Sequence, residues 1–188
     1  MPRLSVIILC YKAEQFSKIY LECVLDTLRN YKIDDYEIIL VGNYVSDSND
    51  RTPNIIKSLS EEYDKVINLA EPKPSFGWLG WDVRMAMEKA AGHYVGLIDG
   101  DGQMPAEDLA TCYLSSEKND SDITMTYRIT RGDGAYRRNL SKIYNLFVKI
   151  LFPGCCVKDL NSKPKIIKKD LINSLNLSSN GWTIDAEI

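Results

Sequence analysis

Histidine is almost absent: His93 is the one histidine among 188 residues, which rules out a histidine-centred nucleophile triad and any site built on paired histidine ligands. Cysteine is scarce as well. Cys10, Cys23, Cys112, Cys155 and Cys156 are odd in number and lack metal-ligand spacing, and the adjacent pair suits neither zinc nor an easy disulfide. They read as reduced thiols of a cytosolic protein. No apolar run reaches the roughly 18 residues that cross a bilayer, and no secretory leader is legible. Positive charge is not in excess either. The formal net charge is -3 and the pI is near 5.3, which argues against a general nucleic-acid binder.

What the chain does contain is ordinary for a soluble domain: 45% hydrophobic and 26% charged residues. The charge is unevenly spread. Residues 127–169 hold 11 of the 23 Lys+Arg but 2 of the 26 Asp+Glu, so a local basic zone sits in an otherwise acidic chain. The sequence stops at TIDAEI with no polar tail or helix cap. We therefore expect a single domain over 1–188, truncated at its C-terminus.

The order of elements alternates. Leu4 to Cys10 and Tyr36 to Gly42 are continuous apolar runs of the kind found in buried parallel strands. Helical spacing covers residues 14–30 between them. Thr52 as N-cap and Pro53 open a second helix to about Tyr63, followed by a short strand from Lys65 to Leu69. A helix over 78–91 stops at Gly92, and His93 to Asp99 is a fourth strand. Pro105 with Glu107 and Asp108 starts another helix, and Asp122 to Tyr127 a fifth strand. This predicts an α/β fold with a mostly parallel sheet, helices on both faces, and ligands beyond the strands' carboxyl ends.

Asp99-Gly100-Asp101-Gly102-Gln103 follows directly from the fourth strand. Alternation along extended chain would put Asp99, Asp101 and Gln103 on one side, a hard oxygen set for Mg²⁺ or Mn²⁺. The intervening glycines would let backbone approach a ligand. A calcium loop fails, because its fifth, sixth and twelfth places hold Gln103, Met104 and Ala110. A polar turn from strand to helix accounts for the same residues without metal. A nucleophilic aspartate fits the first strand better, and that strand ends in Cys10-Tyr11.

These residues carry a resemblance. The chain resembles the inverting family 2 glycosyltransferases of the GT-A fold, and within them the branch of dolichol-phosphate mannosyltransferase and bacterial polyprenyl-phosphate glycosyltransferases. The segments that carry it are SVIILCYKAEQ, EIILVGNYVSDSNDRT, AMEKAAGHYVGLIDGDGQMPAEDL, YRITRGDGAYRRNLSKIYNLF, VKDLNSKPKIIKKDL and TIDAEI. The resemblance implies that Cys10, Tyr11, Val41 and Gly100 line base and ribose, with Asp99, Asp101 and Gln103 at metal and diphosphate. It places Arg128, Arg131, Arg137 and Ser141 around the phosphates of donor and acceptor. The donor it implies is a UDP- or GDP-sugar. Three departures stand out. Gly42-Asn43 replaces a pair of acids, Asn43 keeping both hydrogen-bonding senses; Lys12-Ala13 replaces Asn-Glu; and Lys163-Pro164-Lys165 replaces Gly-aromatic-Lys.

Arg128, Arg131, Arg137, Arg138 and Lys142 concentrate in one basic segment whose planar forks suit a phosphorylated acceptor, although a solvated helix face is the simpler reading of any one of them. Residues 143–152 are strongly apolar and read either as a core helix or as a contact with a membrane surface. A sugar-hydroxyl acceptor needs a general base. A lipid phosphate does not, because its oxygen is already anionic near neutral pH. The expected function is metal-dependent transfer from a nucleotide sugar to a polyprenyl phosphate at the cytoplasmic face of a membrane. Asp101, Asp159 and Arg131 would carry the chemistry, and Asp159, or Asp185 with Glu187, would serve if a base is required. A saccharide-hydroxyl acceptor and a domain that only binds nucleotide sugar are the alternatives.

Overall fold

LSVIIL is apolar at nearly every position because both its faces are covered: strand β1 (Leu4–Leu9) is buried throughout. A computed structural model of the chain describes residues 1–46, 48–73, 78–127, 150–151, 154, 157 and 159–188. In it β1 lies between β2 (Tyr36–Val41) and β6 (Tyr94–Asp99), parallel to both. Leu4, Val6 and Ile8 enter one hydrophobic core with residues of α1 (Phe16–Asn30), α2 (Thr52–Glu62) and α4 (Ala106–Asn119). Ile7 and Leu9 enter a second, with α3 (Leu79–Lys89), α5 (Lys169–Ser174) and α6 (Ile184–Glu187). Period-two alternation along one strand thus feeds two helical layers.

The main sheet has the order β4-β2-β1-β6-β8-β7, where β4 is Val66–Leu69, β7 Ile123–Met125 and β8 Lys165–Lys168. Strand β8 runs antiparallel to both its neighbours. The expected fifth strand over 122–127 is only the three residues of β7, and it lies at the sheet edge rather than beside β6. KIIK, which does lie beside β6, offers two apolar residues between lysines and carries no strand signal of its own. A second, two-stranded sheet pairs β3 (Tyr44–Val45) with β5 (Pro72–Lys73).

Two helix starts differ from expectation. Thr52 is the first residue of α2, not its cap: the Asp50 carboxylate accepts both its N–H at 2.9 Å and its hydroxyl at 2.6 Å. The Thr52 hydroxyl in turn accepts the Glu14 N–H at 3.0 Å, tying the loop after β1 to α2. Helix α1 begins at Phe16 rather than 14, because Lys12 (φ 52) and Glu14 (φ 42) adopt left-handed backbone before it. Gly92 stops no helix through its conformation. A Cβ there would meet Ser5 N at 2.5 Å, so contact with β1 requires the glycine.

Candidate active site

Strands β1, β2 and β6 end level with one another, Leu9 pairing with Val41 and with Asp99. Beyond these carboxyl ends opens a cavity of about 650 Å³, within the range that holds a small organic ligand. Its wall includes Tyr11 and Phe16 on one flank, Trp182 on the rim, and six charged groups: Lys12, Lys73, Lys163, Asp82, Asp99 and Asp101.

The acidic part of the wall comes from the end of β6. The strand stops at Asp99, so alternation does not extend through Gln103. Instead Gly100 donates its N–H to the Leu9 carbonyl at 2.9 Å, and a turn follows in which the Asp101 carboxylate accepts the Gln103 N–H at 3.0 Å. Asp99, Gly100 and Asp101 line the cavity; Gln103 is exposed and outside its wall. Packing alone already requires the glycines. A Cβ on Gly100 would sit 2.9 Å from the Leu9 carbonyl oxygen, and Gly102 (φ 72) lies against the Phe16 ring. Burial raises the pKa of Asp99, helped by nearby Asp101 and Asp185 and opposed by Lys163.

Among the described residues no three His, Cys, Asp or Glu side chains converge on a metal position. Two carboxylates in a cavity wall still match a hard cation that completes its shell with water and phosphate oxygens. The raised pKa of Asp99 marks a carboxylate that added positive charge would relieve.

A second charged wall was not anticipated from the sequence. Asp82, in the first turn of α3, accepts Lys73 Nζ at 2.6 Å and Asn43 Nδ2 at 2.8 Å. Asn43 also accepts the Glu71 N–H at 2.7 Å. Asn43 is therefore buried behind Asp82 and outside the cavity wall, while Asp82 and Lys73 are in it. The Lys73 ammonium lies 4.9 Å from the centroid of the Tyr11 ring, which is half exposed. The available signal was weak: one acid in an otherwise apolar helix start, GWDV.

Strand β8 brings the third group of charges. Leu97 pairs with Lys165 in antiparallel register, and Lys163 sits in the bend that leads into β8. Lys163 Nζ is 3.5 Å from Asp99 Oδ1 and 3.4 Å from Asp185 Oδ2, and Lys165 Nζ is 2.5 Å from Asp185 Oδ1. Burial lowers the pKa of Lys165 against the pull of Asp185. Asp185 and Asp159 are both buried and outside the cavity wall. Glu187 is committed elsewhere, accepting the N–H groups of Ser178 and Ser179, which lower its pKa. Gly80 holds this C-terminal segment against α3, since the Asn180 carbonyl accepts its N–H at 3.0 Å where any Cβ would strike the Ser179 carbonyl.

Of the other expected nucleotide contacts, Tyr11 lines the cavity, but Cys10 and Val41 are buried beneath it. Burial pushes the Cys10 thiol up to about 12, so it is inert. Arg128, Arg131, Arg137 and Ser141 lie outside the described residues. Of the apolar stretch 143–152 only Ile150 and Leu151 are described, and both are exposed. No helix among the described residues is long and apolar enough to cross a membrane. His93 lies at the opposite end of β6 from Asp99.

Known proteins resemble the chain in sequence and fold. The chain is 31% identical over 125 residues (65% of its length) to a poly(ribitol-phosphate) beta-glucosyltransferase of Bacillus spizizenii, and spans 18% of that protein. It is 26% identical over 171 residues (91% of its length) to an undecaprenyl-phosphate 4-deoxy-4-formamido-L-arabinose transferase of Pseudomonas fluorescens, and spans 48% of it. Its fold matches glucosyl-3-phosphoglycerate synthase from Mycobacterium tuberculosis, solved with Mn²⁺, UDP and glucosyl-3-phosphoglycerate, at a TM-score of 0.66 and 17% identity, covering 98% of this chain and 62% of that one. It also matches a mannosyltransferase from Pyrobaculum calidifontis, solved with GDP-Man and Mn²⁺, at a TM-score of 0.59 and 18% identity, covering 99% and 50%. These likenesses establish the GT-A fold. The model of glycosyl transferase family 2 matches residues 5–179, and the chain belongs to that family.

Proposed function

We propose that this chain transfers a sugar, with inversion, from a nucleoside-diphosphate sugar to a polyprenyl phosphate, assisted by Mg²⁺ or Mn²⁺ held by Asp99 and Asp101. The observation that carries the reading is the cavity at the strand ends, whose wall combines Asp99 and Asp101 with the Lys73–Asp82 pair. Asp82 and Lys73 set an acceptor beside a donor. Uracil and guanine both offer an N–H beside a carbonyl on one edge, so either base fits that pair, with the Tyr11 ring as a stacking platform. A divalent ion, when bound, would neutralise the charge that grows on the diphosphate as the nucleotide leaves.

The acceptor follows from which carboxylates reach the cavity. Asp159, Asp185 and Glu187 are outside its wall, which favours an acceptor that needs no protein base. A lipid phosphate is such an acceptor, and the name of the Pseudomonas fluorescens relative includes undecaprenyl phosphate. Arg128, Arg131 and Arg137 are assigned to its phosphate, and exposed Ile150 and Leu151 to contact with the cytoplasmic face of a membrane. The Bacillus spizizenii relative favours a second reading, a hydroxyl acceptor on a polyol-phosphate polymer, with exposed Asp101 as base.

Calorimetry with UDP- and GDP-sugars in Mn²⁺ and in EDTA tests the donor site; equal affinity in both would sink the metal assignment. Transfer to a short polyprenyl phosphate, run beside the same lipid as free alcohol, tests the acceptor. Transfer to the phosphate alone is expected. Arg131→Lys, which keeps charge but loses the fork, should lower that transfer about tenfold, about 1.4 kcal/mol of transition-state stabilisation. Equal use of the alcohol would show that a protein base exists.

A further inference from the structure

Lys163, like Lys12, is a lysine of the cavity wall that the proposed donor chemistry has not used. It is buried, it lines the cavity, and its ammonium contacts the acidic wall. Lys165, two residues along, is outside the wall and sits tightly on Asp185 at 2.5 Å. That contact already balances the Asp185 charge. Lys163 is held more loosely, at 3.4 Å from Asp185 and 3.5 Å from Asp99. The other cavity cations differ from it. Lys73 is committed to Asp82 at 2.6 Å, and Lys12 is exposed beside the Tyr11 ring.

Desolvating an ammonium is costly, and loose contacts repay little of that cost. A buried ammonium in loose contact with two carboxylates and open to a cavity is therefore placed to take a closer anion. It meets Asp99 from the bend just before β8, whose pairing with β6 ends at Lys165 opposite Leu97.

We propose that Lys163 is a resident counter-cation of the donor site, a residue that sets how strongly nucleotide binding depends on a divalent metal. Without the ion Lys163 holds Asp99 and binds the diphosphate oxygens. With the ion present Lys163 gives up Asp99 and keeps the diphosphate. Two consequences oppose each other. Lys163 competes for a metal ligand, so it weakens the divalent affinity of the empty site. It also supports a metal-free diphosphate affinity that the two carboxylates alone would abolish by repulsion. The diphosphate half of this inference rests on the donor reading above; the competition for Asp99 does not.

The experiment uses the full chain as wild type, Lys163→Met and Lys163→Arg, each first checked for a cooperative melt. Free Mn²⁺ is titrated by electron paramagnetic resonance without nucleotide, and UDP and GDP binding is measured calorimetrically in EDTA. Lys163→Met should bind Mn²⁺ about tenfold more tightly than wild type, about 1.4 kcal/mol, and lose about tenfold of the EDTA-resistant nucleotide affinity. Lys163→Arg keeps the charge and should stay within about threefold of wild type in both. Unchanged Mn²⁺ affinity in a folded Lys163→Met, or unchanged metal-free nucleotide affinity, overturns the proposal. If Lys163→Met does not fold, wild type with ¹⁵N-labelled lysine answers instead. The Lys163 ammonium resonance, assigned by its loss in Lys163→Arg, should shift on adding UDP or GDP in EDTA; no shift overturns the proposal. If wild type binds neither nucleotide with or without Mn²⁺, the donor reading fails together with the diphosphate half. The Mn²⁺ titration still decides whether Lys163 holds Asp99.

Discussion

Replacing Asp82 by asparagine keeps the side chain's shape and removes the carboxylate that lies 2.6 Å from Lys73 Nζ. The two side chains are 1% and 9% exposed, so water can do little to screen the ammonium left behind. Breaking one half of a buried ion pair typically costs about 3–5 kcal/mol. The open cavity beside Asp82 admits some water, which sets the expectation at the lower end, about 3 kcal/mol. Lys73→Met should cost less, because the carboxylate it leaves still accepts Asn43 Nδ2 at 2.8 Å and borders the cavity. The double variant then removes both charges. If the pair is coupled as its geometry implies, the double variant should be more stable than the sum of the two losses by about 2 kcal/mol or more. Urea denaturation of all four proteins, followed by circular dichroism, measures each term. An Asp82→Asn loss under about 1 kcal/mol together with additive losses would refute the argument that this wall is electrostatically closed. The same variant turns an acceptor into a mixed donor, so its preference among UDP, GDP and CDP reports on base reading directly.

Further changes test other parts of the site. Gly100→Ala places a Cβ 2.9 Å from the Leu9 carbonyl oxygen and 3.0 Å from Ile8 Cγ2, and should cost about 1–3 kcal/mol by overpacking while weakening Mn²⁺ binding, read by thermal melts and metal titration. Burial raises the pKa of Asp99 above 3.8, so stability present below the unfolded value is lost as pH rises through the folded value. Asp99→Asn should therefore melt higher than wild type at pH 7 without ligand, lack that acid-range decline, and no longer respond to Mn²⁺; a lower melt at pH 7 counts against it. Trp182 is 72% exposed on the cavity rim, so Trp182→Phe should remove most of the nucleotide-induced change in tryptophan emission, and an unchanged signal would place the ligand elsewhere.

Strands β1, β2 and β6 were legible because central parallel strands are covered on both faces, and a short continuous apolar run in an α/β chain points to such a strand before anything else. The acidic turn was legible for the same reason, since its place after β6 follows from the strand itself. What it does in detail was not. The strand ends at Asp99, so the alternation expected through Gln103 gives way to a turn held by Asp101. Gly100 and Gly102 answer to Leu9 and Phe16, contacts that local pattern cannot foresee. Strand β8 was missed because its two isoleucines sit between lysines, and Lys165 is buried only because Asp185 on α6 meets it. Asn43 was placed at the nucleotide by the resemblance, which carries an acid there; its hydrogen-bond partner Asp82, 39 residues on, is in the cavity wall and Asn43 is not.

That contrast divides the site by origin. The carboxylates Asp99 and Asp101 belong to one strand-to-turn segment, whose glycines pack on Leu9 and Phe16. The cations arrive by tertiary structure: Lys73 on β5 is fixed by Asp82 on α3, and Lys163, in the bend before β8, meets Asp99 and Asp185. The cationic half depends on α6 through Asp185 and on the seating of Asn180 against Gly80, so distant substitutions there should alter the charge balance of the cavity before they alter its carboxylates. On the proposal made for Lys163, metal demand depends on how firmly the last helix holds Lys163 and Lys165 as well as on the residues that would ligate the ion.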